Sequence, residues 1–202
     1  MGFDKLAAPL RGIPVLRRTL EVFLAIDSIA EIVVVGPEER WKLLDGMNFP
    51  KPVKRVDGGA TRQDSVAAGL AAITTDFVAV HDGARPLISP HDIGRCIEAA
   101  FLYQSATLAR RVTETLKRSD ASDCNVESIS REHLWFMETP QVFATNLLRD
   151  AYSKIDADHL TVTDEVSVLE ALGVNVKFIE SHHPNLKITT PADLALAEAL
   201  LI

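Results

Sequence analysis

Phe77-Val78-Ala79-Val80-His81-Asp82-Gly83-Ala84-Arg85-Pro86 joins a four-residue apolar run to a polar loop that contains a glycine. The run shows no alternation of apolar and polar residues, which predicts a strand buried on both faces. Strands of this kind belong to α/β sheets covered by helices, where ligands bind beyond the carboxyl ends of the strands. The loop puts a carboxylate, Asp82, and a guanidinium, Arg85, at that position.

Working outward, the same pattern recurs. Ile32-Val33-Val34-Val35 is stopped by Gly36-Pro37, and the short strand 53–56 is followed by Asp57-Gly58-Gly59. Apolar residues at helical spacing over 14–30, a short helix over 37–44, a helix over 61–73 and one opened by Ser89-Pro90 and running to 101 alternate with these strands. The order predicts a mostly parallel sheet with helices on both faces. Between about 106 and 143 the pattern loosens into short alternating stretches, which predict an antiparallel ribbon. Helices resume over 145–155 and over 164–172, the second capped by Thr163 and stopped by Gly173. A strand over 174–179 and a last helix capped by Thr190-Pro191 complete one domain over 1–202.

Composition narrows the function. The 202 residues are 47% hydrophobic, enough for a packed core, and carry a net charge of −7. An acidic chain lacks the basic stripe of a nucleic-acid binder. No apolar run of about 18 residues predicts a membrane span, no signal peptide is legible, and two isolated cysteines, Cys96 and Cys124, fit a reducing cytoplasm. Cys96 lies among apolar helix positions and is expected in the core.

Three segments carry candidate chemistry at the strand ends. In Asp57-Gly58-Gly59-Ala60-Thr61-Arg62-Gln63-Asp64-Ser65 a glycine turn leads into a helix N-terminus, where anions are favoured, and Arg62 and Ser65 lie on one turn. Asp82 beside Gly83 suits a divalent cation on a nucleotide phosphate, and Arg85 suits a phosphate or a structural pair with Asp82. Lys187, in Asn185-Leu186-Lys187-Ile188-Thr189-Thr190, is flanked by apolar residues and needs an anionic partner. His182 and His183 are adjacent on an extended segment, so they are not expected to share an ion. No Walker-type ending GK[ST] and no Ser/His/Asp arrangement occur. An anion-binding α/β domain of this kind points to phosphoryl or nucleotidyl transfer.

At these residues the chain resembles the 2-C-methyl-D-erythritol 4-phosphate cytidylyltransferases of the non-mevalonate isoprenoid pathway. The stretches are VDGGATRQDSVAAGL, VAVHDGARPLIS, TETLKR, SREHLWFMETPQVF, TVTDEVSVLEALG and NLKITTPADLALAE, in the family's order. The resemblance implies a Rossmann-like nucleotidyltransferase fold with a β-arm over about 112–141 that embraces a second subunit. It implies CTP, Mg²⁺ and a sugar-alcohol phosphate. Gly59, Arg62 and Ser65 would lie at the cytidine, with Asp82 on the metal and Gly83 near the ribose. Lys5 and Lys187 would stabilise the α-phosphate. Arg85, Thr115 and Thr163 would bind the sugar phosphate, joined by Arg131 from the partner's arm.

Three departures from the family's pattern bear on this. Ala60 and Pro184 stand where some relatives carry acids. The family opens with a buried strand and a loop of the type Ala-Ala-Gly-x-Gly-x-Arg-Met-Gly, of which only Met1-Gly2 remains here, so the chain is expected to lack that strand and loop, and whether Met1 is the true start stays open. Two alternatives stay open: a cytidylyltransferase for another polyol phosphate such as ribitol 5-phosphate, and a catalytically silent nucleotide-binding scaffold.

Overall fold

The computed structural model describes residues 3–201. A two-residue ladder, β1 (Pro9–Leu10) with β2 (Ile13–Pro14), leads into α1 (Val15–Leu24). β3 (Ile32–Val35), α2 (Glu38–Trp41) with a 3₁₀ turn (Lys42–Leu44), β4 (Val53–Val56), α3 (Arg62–Ala72), β5 (Phe77–Val80) and α4 (Pro90–Tyr103) follow the predicted alternation. Then come β6 (Ser105–Arg111), β7 (Leu116–Ser119), β8 (Asn125–Ile129), β9 (Trp135–Ala144), α5 (Thr145–Ala157), α6 (Glu165–Glu170), β10 (Lys177–Glu180) and α7 (Pro191–Leu200).

The larger sheet has the order β10-β6-β9-β5. β10 runs parallel to β6, while β9 is antiparallel to both β6 and β5. Alternation along β9 sends Val142 to one face and Phe143 to the other. Val142 packs with Ile93, Cys96, Ile97 and Ala100 of α4 and with Phe23 of α1. Phe143, fully buried, packs with Leu70 of α3, Leu148 and Ile155 of α5 and Leu169 of α6. The helices thus cover both faces, as the unalternating apolar strands require.

Local signals set the element ends. Thr61 and Asp64 form a capping box that starts α3, and Ser89 with Pro90 at the first position starts α4. Gly173 adopts a positive φ of 70° just after α6, where helices end in the left-handed region. The cap of α6 is Asp164, which accepts from the Ser167 N–H, and not the expected Thr163.

β3 and β4 form a separate parallel pair. Glu31, just before β3, accepts from the N–H of Thr74, just before β5, at 2.8 Å, so the two strands start at one end of the sheet. Between them lies a cavity of about 740 Å³ lined by all four residues of β3 and all four of β5. Because successive residues of both strands line it, the cavity lies in the plane of the sheet, between two strand edges that do not pair with each other. Arg62, Ser65, Asp82 and Gly83 line it as well.

The ribbon is present. β7 and β8 form an exposed antiparallel hairpin, from Leu116 opposite Ile129 to Ser119 opposite Asn125. β6 and β9 extend toward it, with Arg110 stacked over Phe136 and Arg111 over Trp135. Val112 donates to the Leu134 carbonyl at its base. Gln141, placed at the arm's return by the resemblance, instead lies opposite Thr107 inside the main sheet and is buried. No described helix is long and apolar enough to cross a membrane.

Burial pushes the Cys96 thiol up to about 12, whereas Cys124 is exposed. A thiol reagent on the native protein at pH 8 is therefore expected to titrate one of the two cysteines quickly, and the second only after denaturation. Truncating Phe143 to alanine is expected to cost about 3–5 kcal/mol in urea melts, while Phe136→Ala, on the half-exposed ribbon, costs under about 1 kcal/mol.

Candidate active site

Asp82 lies two residues beyond the end of β5, and its carboxylate is the centre of a charged cluster. Lys187 Nζ lies 2.8 Å from Asp82 Oδ2, and Arg85 Nε lies 3.4 Å from the same oxygen. Lys187 reaches it because the segment 185–189 is extended. Ile188 packs into a core cluster with Leu10, Val15 and Ala197, and its N–H donates to the Ala84 carbonyl at 2.8 Å, so Lys187 points the other way. Burial raises the Asp82 carboxyl, but the Lys187 hydrogen bond and the charges of Lys187, Arg85 and Arg62 outweigh it and hold Asp82 below the usual carboxylate range.

The loop after β5 is held from below by polar groups. The Asp82 N–H donates to Thr139 Oγ1 at 3.1 Å, and that hydroxyl lies 3.0 Å from His81 Nδ1. His81 Nε2 lies 3.3 Å from the Arg85 carbonyl. A neutral ring with its proton on Nε2 satisfies both contacts. Burial lowers His81 from 6.5 to about 4, which keeps it neutral near pH 7. Arg85 is itself buried and donates from Nη1 to the Asn185 carbonyl at 2.6 Å. Its guanidinium thus serves the structural pair with Asp82 and ties the loop to the Lys187 segment.

Arg62 opens α3 and pairs with Glu165 through two bonds of 2.8 and 2.7 Å. Glu165 is fully buried on α6, where Tyr152 Oη donates to it at 3.1 Å. Gln141 Oε1 receives the Glu165 N–H at 3.0 Å, while its Nε2 donates to Asp164. The side chain of Arg62 therefore leans on α6 and leaves part of its surface toward Asp82 and the cavity.

Gly59 and Ser65 meet, because Ser65 Oγ accepts the Gly59 N–H at 3.1 Å and donates to the Thr61 carbonyl. The glycines are needed by the fold itself: a Cβ on Gly59 would sit 2.2 Å from Asp64 Cβ, and one on Gly58 2.9 Å from Ser65 Oγ. Gly83 lies against Leu16 and Leu6, and its carbonyl accepts from Thr19. Lys5 sits in the turn before Leu6, beside Asp4, which pairs with Arg40. Thr115 and Arg131 are exposed on the arm, where Arg131 donates to the Thr113 carbonyl. Thr163 is exposed ahead of α6. Asp82, Arg85, Lys187 and Arg62 thus form one cluster at the strand ends, and Thr115 and Arg131 stand outside it.

Comparison with known proteins shows the family and the fold. The family model described as 2-C-methyl-D-erythritol 4-phosphate cytidylyltransferase matches residues 1–202. The chain belongs to that family. It is 39% identical over 199 residues to the cytidylyltransferase of Pelotomaculum thermopropionicum, covering 95% of this chain and 84% of the relative. It is 42% identical over 207 residues to that of Parasynechococcus marenigrum, covering 100% and 92%. The crystal structure of the Thermus thermophilus cytidylyltransferase superposes with a TM-score of 0.83 at 35% identity, over 98% of this chain and 94% of that one. The Rossmann-like nucleotidyltransferase fold is that of the solved cytidylyltransferases.

Several residues around this candidate site escape a reading of the sequence. Glu165 lies within the quoted TVTDEVSVLEALG stretch; an acid on the buried face of a short helix is the available signal. Glu138 and Asn185 are also buried: Asn185 Nδ2 donates to Glu138 Oε2 at 3.0 Å and Ser181 Oγ to the same oxygen at 2.7 Å. Asn185 Oδ1, buried, has no hydrogen-bond partner among the described residues. No local pattern marks these three-way contacts, because their partners lie on distant segments.

His81 gives a pH test. Its folded value lies below its unfolded one, so the unfolded chain binds the extra proton and stability falls as pH drops from about 6.5 to 4. Carboxylates with lowered values, which start from 3.8 for Asp and 4.5 for Glu, lose their contribution as pH falls through about 5 and below, at the lower edge of that window. Urea melts are expected to lose up to about 3 kcal/mol across that window, and His81→Gln, which keeps hydrogen bonding without titrating, is expected to flatten the profile.

Proposed function

We propose that this chain transfers the cytidylyl group of CTP to 2-C-methyl-D-erythritol 4-phosphate, giving 4-diphosphocytidyl-2-C-methyl-D-erythritol and pyrophosphate. The observation that carries the reading is the 2.8 Å pair of Lys187 and Asp82 at the carboxyl end of β5, in a chain of this family throughout. A phosphate oxygen of the acceptor forms the new bond to the α-phosphorus of CTP, and the bond from that phosphorus to the bridging oxygen of pyrophosphate breaks. The nucleophile is already anionic, so the site's task is to neutralise crowded negative charge. Lys187, with Lys5 from the N-terminal turn, would take the α-phosphate. Gly59, Arg62 and Ser65 would border the cytidine, and Gly83 the ribose.

Asp82 is a hard oxygen donor beside phosphate-binding cations, which fits Mg²⁺ held by one carboxylate and the substrate's own phosphates. When bound, Mg²⁺ would supply charge neutralisation on the triphosphate. Asp82 would hold the cation, and Lys187, which lies 2.8 Å from Asp82 in the structure, would bear on the α-phosphate. Arg85 and Thr163 would serve the sugar phosphate, Arg85 largely by fixing the loop.

The arm supports a homodimer. Val126 on β8 is 60% exposed, and Thr115 and Arg131 stand away from the Asp82 cluster of their own chain. An arm that embraces a second subunit would bring Thr115 and Arg131 to the partner's sugar phosphate. The in-plane cavity supports a further element. One extended apolar strand parallel to β3 and β5 would pair with both edges. Residues following it would emerge beside Arg62, Ser65, Asp82 and Gly83, where the resemblance implies the glycine-rich phosphate loop.

Pyrophosphate release with CTP, Mg²⁺ and methylerythritol phosphate tests the reading. The chain carrying an apolar strand and a glycine-rich loop ahead of Met1 is expected to turn over, and to prefer this acceptor over ribitol 5-phosphate. Equal turnover without the added segment would remove the loop from the mechanism, and none with it would overturn the activity. In the active form Lys187→Ala is expected to lower kcat at least about a hundredfold. Arg131→Ala should chiefly raise KM for the sugar phosphate. Mixing the two variants should restore part of the activity if each site is shared between subunits.

A further inference from the structure

Three of the six histidines gather around one carboxylate on the far side of the Lys187 segment. Asp92, in the first turn of α4, is 1% exposed. His183 Nδ1 lies 3.1 Å from its Oδ2, and His91 Nδ1 3.8 Å from its Oδ1. The His91 and His183 rings are 6.1 Å apart, and the His182 ring stacks on His91 at 6.4 Å. One ligand atom from each of His91, Asp92 and His183 fits within 4.8 Å of the others.

Most of the structural work at this point is done by the carboxylate with backbone groups and Arg95. Asp92 accepts the N–H groups of His182 and His183, both at 3.3 Å, and so ties the loop after β10 to α4. Arg95 Nη1 donates to Asp92 Oδ1 at 3.2 Å and to the Glu180 carbonyl at 2.9 Å, fixing the carboxylate from behind. Of the imidazoles, His183 adds one side-chain contact to that tie and His91 none at hydrogen-bond distance; their side chains are 51% and 64% exposed, and both converge on the same acid. Adjacency in sequence argues against a shared ion between His182 and His183. The structure answers that objection, because the second imidazole comes from α4, 92 positions before His183 in the chain.

We propose that His91, Asp92 and His183 form a site for a borderline divalent transition metal such as Zn²⁺ or Co²⁺, separate from the magnesium expected at Asp82. Two imidazoles and one carboxylate on one side of an ion, with solvent on the other, make a three-ligand set of the kind that zinc accepts, whereas Mg²⁺ prefers oxygen donors. The ion replaces the proton shared between His183 Nδ1 and Asp92, and the existing Arg95 and backbone hydrogen bonds orient the ligating carboxylate. Bound metal would clamp α4 to the 181–185 loop, whose Ser181 and Asn185 bind Glu138 and whose continuation carries Lys187.

Titration of the tag-free chain with Co²⁺, followed by its visible absorption, and with Zn²⁺ by calorimetry, tests the proposal. One ion per chain is expected to bind with micromolar or tighter affinity in the presence of millimolar Mg²⁺. His91→Ala and His183→Ala, both at exposed positions that leave Asp92 and its backbone contacts intact, are each expected to weaken binding at least about tenfold. Thermal melts of the metal-free His91→Ala variant should match the parent, since His91 makes no hydrogen bond to Asp92. No saturable binding overturns the proposal, as does binding that neither substitution weakens.

Discussion

A single carboxylate, Asp82, holds two cations that come from different parts of the chain, and the site depends on that balance. Arg85 is three residues away on the same loop, whereas Lys187 arrives from beyond β10. The carboxylate is partly buried, and leaving it there unpaired would be costly. The two cations remove that cost and in the same step bring positive charge to the carboxyl end of β5. Net charge over the whole chain is −7, so the positive character beside β5 is local and created by the fold.

A second pair repeats the device on the other side. Glu165, fully buried, grips Arg62 through both oxygens, with Tyr152 and Gln141 completing the arrangement. Three cations, Arg62, Arg85 and Lys187, then face two carboxylates, Asp82 and Glu165. That excess suits a polyphosphate ligand, and the neutral His81 beneath the loop adds no further charge. Helices α3 and α6 are thereby coupled to the strand ends by hydrogen bonds as well as by packing.

Much of this is legible along the chain. The apolar runs at 32–35 and 77–80, the capping residues Thr61, Ser89 and Thr190, and the stop at Gly173 are local signals, and each appears where local physics puts it. Asp82, Arg85, Arg62 and Lys187 stand out because polar residues beside buried strands need a reason. The details that mislead are those with distant partners. Thr163 and Asp164 can both accept as caps, and nothing local ranks the second above the first. The glycines at 58 and 59 read as a turn that opens backbone N–H groups to an anion, and the packing adds a second reason for them, because the first turn of α3 leaves no room for a Cβ at either. Gln141 reads as the end of the arm, being locally no different from its neighbours, but it is recruited by β5 and β6.

The amino-acid sequence by itself determined the element types, most of their ends, the α/β class and which polar residues flank the strands, because each of these rests on interactions within a few positions. Only the tertiary structure decided which charges pair, that Arg85 is buried as a tie between two segments, that Glu165 rather than a ligand holds Arg62, and that β3 and β5 face each other across an apolar cavity. These depend on contacts between residues up to 105 positions apart, as between Asp82 and Lys187. Periodicity carries no information about such distances, since it reports which face a residue takes and not what that face will meet.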